Sequence, residues 1–379
     1  MTALSNEFQL RIYNPGDEEE IVQLLKIGFD GWPHFDLECT PVDHWRWKYL
    51  DNPSRTNFIV LAMIEGRIVG ANQILPMRIK IVDTVFPCVL SADTVVHPDY
   101  RRMGIYTKMA NKNISRMNDS GIQLDYFPTS NPILIKSYSK RYRTLPLTIS
   151  NLARIKDINK QLKAMPIKKA WLAKLGFHGL MLFNDLKNAF CRKKSPDTNF
   201  NIHEVNRFNE SMESFWDEAS RQYKFIIERR REYINWRYCD PRAGGFKVKE
   251  AKDEDGSTLG YCVLKINKYL KHYPIGYMVD LLTLPERVDA AEALVADAIR
   301  YFDEQNINIV NCLVVENHPY EKILKRYGFI DSRFRIQIFM RLSSEMASIL
   351  KKIERSDSEK IYFSYGDIDS LPVQIPTYT

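Results

Sequence analysis

An internal repeat constrains the fold of this sequence more than any other feature. Four segments of the first half recur in the same order in the second half, displaced by about 185 to 190 residues. The pairs are Trp47-Lys48-Tyr49 with Trp236-Arg237-Tyr238, the turn Glu65-Gly66 with Asp255-Gly256, Asp93-Thr94-Val95-Val96-His97-Pro98 with Asp280-Leu281-Leu282-Thr283-Leu284-Pro285, and Lys140-Arg141-Tyr142 with Lys325-Arg326-Tyr327. One such match could be chance, but four in constant order indicate a duplication. We therefore expect two copies of one fold.

The positions of the repeats set the expected domains. A chain of 379 residues exceeds the roughly 100 to 200 residues of a usual single domain. We predict copies at residues 7–155 and 201–342, joined by a linker at 156–200. The last segment, 343–379, is expected to dock on a domain, because its stretch 361–369 is too aromatic for a free tail.

Hydrophobic periodicity gives the elements of the first copy. Apolar residues at helical or alternating spacing predict helices at Glu18–Phe29, Val42–Leu50, Ile105–Asp119 and Pro132–Lys140, and strands at Phe58–Ile64, Arg67–Leu75, Met77–Ile81, Cys88–Val96 and Leu124–Phe127. Strands that come first and a mixed order later favour an α+β layer over a doubly wound parallel sheet.

Several classes of protein are disfavoured by composition. No apolar run approaches the roughly 18 residues of a membrane-spanning helix, and residues 1–8 lack a basic segment followed by an apolar one, so a cytoplasmic location is expected. The six cysteines are scattered without a CxxC pair. The sequence therefore indicates neither a disulfide framework nor a metal site.

Positive charge is concentrated in one stretch. Residues 136–194 hold fifteen Lys and Arg against two acidic residues, a net charge of +13, whereas the whole chain carries only +7. The linker part of this stretch is amphipathic, so it is either a solvated face of packed helices or a contact for an anionic partner or membrane surface. It lacks a recognisable nucleic-acid recognition motif.

The loop after the strand that ends at Val96 is the main candidate site. A helix that begins near Gly104 presents unpaired backbone N–H groups, which favour an anion. Arg101 and Arg102 add positive charge, and Gly104 lets backbone approach a ligand closely. An ordinary helix cap with surface arginines would have the same spacing.

The motif Val96-x-Pro98-x-x-Arg101-x-x-Gly104-Ile105 resembles motif A of the GNAT acetyltransferases, whose Arg/Gln-x-x-Gly-x-Gly/Ala loop holds the pyrophosphate of acetyl-CoA. The resemblance extends from about Glu7 to Ile155 and implies two tandem GNAT-like domains with a mixed, mainly antiparallel sheet flanked by helices. It implies acetyl-CoA as co-substrate, bound by Thr94, Val95, Val96, Arg101, Arg102, Met103, Gly104, Ile105, Tyr106 and Asn131. One departure is Tyr106, which stands where the family has Gly or Ala.

A second family motif places a Tyr seven residues after an Asn, as in Asn131 and Tyr138. By this resemblance Tyr138 is the general acid that protonates the leaving CoA thiolate. Tyr142-Arg143 departs from the family's Gly-Phe.

The proton acceptor for the amine is expected to be a carboxylate. Asp93 is the first candidate, although its repeat equivalent Asp280 also suits a purely structural hydrogen bond. Asp367 or Asp369 of the last segment is a further candidate for the acceptor cleft, and His97 is more typical of a cap or surface residue.

The second copy lacks the same features. Its loop, Leu284–Ala291, has no Arg-x-x-Gly, and the acidic Glu286 and Asp289 would oppose a pyrophosphate. Leu324 lies seven residues after Asn317, where a Tyr would be needed. We therefore expect the second copy to be a degenerate domain that completes the acceptor cleft or supports the first.

The sequence thus predicts an acyl-CoA-dependent N-acyltransferase, acetyl being the expected group, that acts on an amine of a small molecule, amino sugar or peptide. Two alternatives remain open: a non-catalytic acyl-CoA-binding sensor or scaffold, and binding of an anionic polymer or surface through residues 136–194. The acceptor, the acyl length and the oligomeric state are not predicted.

Overall fold

The computed structural model of the chain describes residues 7–140, 142–145, 147–164, 199–353, 355–369 and 371. Helices and strands follow the same order in both halves, apart from one short strand in each, at 143–144 and at 225–227. The first half has β1 Gln9–Ile12, α1 Glu18–Phe29, α2 Pro41–Tyr49, β2 Phe58–Ile64, β3 Arg67–Ile81, β4 Thr84–Val96, α3 Ile105–Asp119, β5 Leu124–Thr129, α4 Pro132–Tyr138, β6 Arg143–Thr144, β7 Ile149–Ile155 and α5 Ile158–Ala164. The second has β8 Phe200–Val205, α6 Ser211–Ala219, β9 Phe225–Ile227, α7 Arg231–Ile234, β10 Lys247–Asp253, β11 Thr258–Asn267, β12 Ile275–Thr283, α8 Val288–Glu304, β13 Ile309–Val315, α9 Pro319–Arg326, β14 Ile330–Leu342 and α10 Ser344–Leu350.

The strands of both halves join in one sheet, in the order β1-β2-β3-β4-β5-β14-β7-β13-β12-β11-β10-β8. Along this path only β4 with β5 and β12 with β13 are parallel. The predicted α+β class, with a mixed, mainly antiparallel sheet flanked by helices, is confirmed.

The two halves exchange their last long strands. Strand β14 of the second half pairs with β5 of the first, with Phe339 opposite Phe127. Strand β7 of the first half pairs with β13 of the second, with Leu152 opposite Cys312. At the centre of the sheet β14 and β7 pair with each other. Each half therefore completes its sheet with a strand from the other.

This exchange bears on the predicted domains. A boundary near residue 155 assigns β7 to the first domain by sequence, whereas its pairing partners are β13 and β14 of the second half. Most of the linker, residues 165–198, lies outside the described residues, as does most of the basic stretch 136–194. The proposed boundaries stay predictions.

Local sequence explains the helices that shape the first half. Helix α1 buries Ile21, Val22, Leu24 and Leu25 along one side, which is the amphipathic pattern of a helix packed on a sheet. Helix α2 begins with proline after Thr40, whose hydroxyl oxygen accepts a hydrogen bond from the Asp43 N–H. Helix α3 packs on β2 through Ile105 and Met109. The described helices include none long and apolar enough to cross a membrane.

Strand β3 corrects one prediction. The sequence predicts two strands separated at Pro76, but β3 runs continuously through it. The pairing of β2 with β3 ends at Ile74, and the pairing of β9 with β3 begins at Ile79. Pro76 thus lies where that edge of β3 has no strand partner, and the missing N–H of proline costs no ladder bond there.

A pair of repeat-related tryptophans joins the halves. The rings of Trp47 and Trp236 are stacked, with centroids 4.9 Å apart. Trp47 Nε1 donates to the carbonyl oxygen of Trp236 at 2.9 Å, and Trp236 Nε1 donates to the carbonyl oxygen of Trp47 at 3.0 Å. The contact is reciprocal, as in a two-fold symmetric interface.

The last segment packs into the interior of the fold. The Tyr362 N–H donates to the Phe225 carbonyl oxygen at 2.9 Å. Residues Ile361, Phe363 and Tyr365 are all buried. The Tyr126 hydroxyl donates to the Asp367 carbonyl oxygen at 3.0 Å, so the segment also contacts β5 of the first half.

Replacing Trp47 or Trp236 by Phe removes an indole donor and leaves a buried carbonyl without its partner. Each single variant should lose about 1–3 kcal/mol of unfolding free energy in chemical denaturation. Because the rings also stack, the double variant should depart from additivity by roughly 0.5–1.5 kcal/mol.

Trp45→Phe is the matched control for this cycle, since it removes an indole donor to Gln73 within the first half. Its effect should add to that of Trp236→Phe without coupling. If the change in unfolding free energy of Trp236→Phe adds to that of Trp47→Phe as fully as to that of Trp45→Phe, the tryptophan pair does not couple the halves.

Candidate active site

Two parallel strands of the first half separate at the candidate site. Strands β4 and β5 pair only at Val89 with Asp125 and at Leu90 with Tyr126, although β4 continues to Val96. A bulge in β4 follows, and Asp93 within it has a φ of 41°. The bulge bends β4 away from β5, so a wedge opens between the two strands beyond Leu90.

The loop after β4 leads into a helix without a side-chain cap. Arg102 has a φ of 67°, Gly104 has a φ of 76°, and α3 begins at the next residue, Ile105. Glycine is favoured at position 104 by this left-handed backbone and not by crowding, since an added Cβ there would meet no atom within 4 Å. The first N–H groups of α3 therefore stay available for an anion.

An open groove of about 410 Å³ lies in front of this helix end. Its walls include eight of the residues predicted to bind the cofactor: Thr94, Val95, Val96, Arg101, Arg102, Gly104, Ile105 and Tyr106. Arg101 holds the loop against α1, since its guanidinium donates to the carbonyl oxygens of Val96 and Gly28, both at 3.3 Å. The groove thus combines positive charge with a helix N-terminus.

Two predicted cofactor residues lie outside the groove walls. Met103 packs against the small core that contains Ile105. Asn131 caps α4, because its Oδ1 accepts from the N–H groups of Ile133 at 2.9 Å and Leu134 at 3.4 Å. That contact explains the Asn of the second motif as a device that orients α4.

Tyr138 lies at the end of α4 and points toward the groove. Its hydroxyl is 3.3 Å from the hydroxyl of Tyr106, whose side chain is 46% exposed. The Tyr138 ring packs edge-on against Phe127 of β5, with centroids 4.8 Å apart. Tyr106, the residue that departs from the family motif, therefore connects the groove to Tyr138.

Asp93 lies in a buried charged cluster on the α2 side of β4. It accepts hydrogen bonds from Lys48 Nζ at 2.6 Å and from the Tyr49 hydroxyl at 2.7 Å. Burial alone would raise the pKa of Asp93, but Lys48 and the hydrogen bonds hold it below its usual value. Lys48 Nζ also lies 3.4 Å from Asp369.

Asp369 of the last segment lies beside this charged cluster. Burial raises the pKa of this carboxyl above its usual value, although Lys48 acts in the opposite direction. The sequence analysis did not predict Lys48 and Tyr49 as neighbours of Asp93. Both belong to the repeated segment Trp47-Lys48-Tyr49, which was interpreted only as a sign of duplication.

The equivalent carboxylate of the second half has the same tyrosine contact. Asp280 accepts from the Tyr238 hydroxyl at 2.9 Å, as Asp93 accepts from Tyr49. Asp280 is also bound by Arg229 Nε at 3.1 Å. The shared Tyr–Asp contact fits a role in the fold for both carboxylates.

The wedge of the second half is filled by the chain itself. The Tyr362 hydroxyl accepts from the Leu281 N–H at 3.0 Å, and the Tyr320 hydroxyl accepts from the Thr283 N–H at 2.9 Å. Leu281 and Thr283 are the repeat equivalents of Thr94 and Val96. Within the described ranges, no side chain takes the N–H groups of Thr94 and Val96, which line the open groove.

The helix end of the second half is also altered. Arg287 precedes α8 and pairs with Asp289, with Nη2 to Oδ2 at 2.8 Å. Hydrogen bonding by Arg287 lowers the pKa of Asp289, so a negative charge already occupies the first turn. Leu324, at the position of Tyr138, is fully buried. An ion pair and a buried leucine thus stand at the positions that correspond to the two motifs of the first copy.

The fold belongs to a class shared with N-acyltransferases. The chain is similar in structure to a probable N-acyltransferase from Enterococcus faecalis, at 10% identity and a TM-score of 0.58, covering 89% of this chain and 73% of that one. The chain is also similar to Saccharomyces cerevisiae N-myristoyltransferase with bound myristoyl-CoA, at 12% identity and a TM-score of 0.58, covering 90% of this chain and 84% of that one. A GCN5-related N-acetyltransferase from Anabaena variabilis gives 12% identity and a TM-score of 0.57, covering 89% and 73%.

The sequence of the first half matches a known family model. Residues 9–139 match the model described as an acetyltransferase (GNAT) domain. No curated protein sequence matches the chain. The structural likenesses extend the same fold over both halves, and the predicted resemblance is confirmed for the first.

Proposed function

We propose that this protein is an acyl-CoA-dependent N-acyltransferase whose single site lies in the first half. The observation that carries the proposal is a contrast within one chain. The wedge and the helix N-terminus are open in the first half, whereas side chains and a local ion pair close both in the second. Acetyl is the group proposed for transfer, because the family model is one of acetyltransferases.

The groove suits the phosphates of an acyl-CoA. Free N–H groups at the start of α3 and the charges of Arg101 and Arg102 favour a pyrophosphate. The N–H groups of Thr94 and Val96 face the wedge, by analogy with Leu281 and Thr283. Such N–H groups are placed to stabilise negative charge on a carbonyl oxygen.

The proposed chemistry is direct transfer. The amine nitrogen attacks the thioester carbonyl carbon, a C–N bond forms, and the electron pair moves to the carbonyl oxygen, which a strand N–H stabilises. The C–S bond then breaks, and the leaving sulfur takes a proton from the Tyr138 hydroxyl. The proton lost by the amine goes to a carboxylate.

Asp93 and Asp369, both predicted from the sequence, are the two candidates for the carboxylate that accepts the proton of the amine. Asp93 already accepts two hydrogen bonds, and its repeat equivalent has the same tyrosine partner, so it suits the positioning of Lys48. Asp369 has one ion-pair contact, with Lys48 Nζ at 3.4 Å, and burial raises its pKa. We propose Asp369 as the proton acceptor and Asp93 as a positioning residue.

Removing Arg101 should weaken acyl-CoA binding. Arg101→Ala deletes a charge facing the groove, and the loss of about 1.5–3 kcal/mol should raise the Kd for acetyl-CoA roughly ten- to hundredfold. Calorimetry and ligand-induced thermal stabilisation measure this change. Arg287→Ala, at the equivalent loop of the second half, is the matched control and should leave binding unchanged. Acetyl-CoA binding that both variants keep in full would contradict the assignment of the groove.

Tyr138→Phe should slow turnover while acetyl-CoA binding is retained. Loss of a general acid typically costs 10²- to 10⁴-fold in rate. Release of CoA thiol with a panel of amines measures kcat, and calorimetry measures binding. Tyr106→Phe removes the neighbouring hydroxyl at 3.3 Å and is the control. If Tyr106→Phe slows release more than Tyr138→Phe, the acid is assigned to the wrong residue.

Asp369→Asn should lower kcat and change its pH dependence. A carboxylate base is active when ionised, so activity of the parent protein should fall as pH drops through the raised pKa of Asp369, and the variant should lose that acidic limb. Asp93→Asn should instead lower the unfolding free energy, because Lys48 would be left buried without its closest partner. A parent-like pH profile in Asp369→Asn would exclude this residue as the base.

A further inference from the structure

A small cavity lies on the α2 side of the sheet, where the two halves and the last segment meet. Leu90 lines this cavity and is also the last β4 residue paired with β5, so the cavity begins where the wedge opens. Lys48, which contacts the bulge residue Asp93, and Asp369, which contacts Lys48, line it as well. Both observations place the cavity directly behind the wedge assigned to the thioester.

The cavity is much smaller than the groove on the other side of the wedge. Its free volume is about 20 Å³, which is enough for one water molecule or one methyl group. The groove that suits the phosphates has a volume of about 410 Å³. The space behind the wedge can therefore take the end of a very short acyl group, whereas a chain of several carbons does not fit.

Buried apolar residues from all three parts of the chain form much of the cavity wall. They include Leu75, Met77 and Leu90 of the first half, Val279 of the second half, and Ile368 and Leu371 of the last segment. The reciprocal hydrogen bonds of Trp47 and Trp236 hold the second half against the first. The ion pair of Asp367 with Arg229, at 2.8 Å, holds the last segment in place. Because a close-packed interior resists expansion, these contacts keep the cavity narrow.

Resting on the proposed N-acyltransfer, we infer that this cavity takes the methyl group of acetyl-CoA and excludes longer acyl groups. Leu90 lies where the wedge meets the cavity, and Val279 and Ile368 belong to the wall that the second half and the last segment supply. The second half, whose own wedge is filled, thus contributes acyl selectivity to the site of the first half. The packing of three chain segments, and not the motif of the loop, sets the acyl length.

Binding of acetyl-CoA, butyryl-CoA and octanoyl-CoA to the parent protein tests this limit by calorimetry. The three thioesters share every group of the cofactor and differ only in the length of the acyl chain. Acetyl-CoA should bind at least about tenfold more tightly than either of the others, because extra methylene groups in a packed interior are unfavourable. Equal affinity for the three thioesters would overturn the inference.

Leu90→Ala should remove the preference for acetyl-CoA over butyryl-CoA. The substitution deletes more carbon atoms from the cavity wall than butyryl adds to acetyl, so the longer group gains the room that it lacks in the parent protein. Leu61→Ala is the matched control, since Leu61 is equally buried in the neighbouring strand β2 and does not line the cavity. This control should keep the parent preference. Loss of the preference in both variants would mean that the cavity does not set it.

Val279→Ala tests the contribution of the second half. Val279 lines the cavity from β12, and its substitution removes less of the core than Leu90→Ala does, so this variant keeps the test decisive if Leu90→Ala fails to fold. It should reduce the preference for acetyl-CoA over butyryl-CoA several-fold. A parent-like preference in the folded variant would overturn the role of the second half in acyl selectivity.

Release of CoA thiol separates this inference from the proposed function. A binding preference for acetyl-CoA that Val279→Ala reduces, without thiol release from any of the three thioesters in the presence of a panel of amines, would support the limit on acyl length and refute the transfer. Thiol release at equal rates from acetyl-CoA and octanoyl-CoA would support the transfer and overturn the limit on acyl length.

Discussion

The reciprocal contact of Trp47 and Trp236 is the interaction on which the arrangement of the halves depends. Each indole satisfies the backbone carbonyl of the other, and the rings stack at 4.9 Å. Both tryptophans also line the cavity between the halves. A buried carbonyl without a partner is costly, so the two helical segments that carry the pair are held in one relative position. That position fixes the distance between Lys48 of the first half and Arg237 of the second, which follow the tryptophans directly in sequence.

The last segment gives the two halves different roles. Tyr362 closes the wedge of the second half by accepting from Leu281, and Asp367 is held by Arg229 Nη2 at 2.8 Å in a fully buried ion pair. A buried pair of this kind stabilises the fold only while both partners are present, so the segment is fixed in place at Asp367. Two residues further on, Asp369 reaches Lys48 of the first half. One short segment thus occupies one wedge and supplies a carboxylate beside the other.

Local patterns made part of this fold predictable from sequence. Helix α1, strand β2 and helix α3 have the predicted bounds, because the two helices have apolar residues at helical spacing and β2 is a continuous apolar run that is buried on both faces. The exchange of β7 and β14 could not be predicted, since strand alternation specifies a buried face but not which strand lies alongside. The groove residues share one loop and one helix end, so a contiguous motif was enough to find them. Asp369 approaches Lys48 across more than 300 residues of chain, and no local signal indicates that contact.

Comparison of the halves separates residues that serve the fold from residues that serve chemistry. The tyrosine that donates to the bulge carboxylate is present in both, as Tyr49 with Asp93 and Tyr238 with Asp280, and a contact retained in a closed wedge cannot depend on catalysis. The halves differ at Gly104, at Tyr138 and in the partner of the strand N–H groups. Those differences coincide with an open groove in one half and a filled one in the other. The second half therefore serves as an internal control for the first. Because the Tyr–Asp contact is present in both halves, Asp93 is a weaker candidate for the base than its position beside the motif suggests.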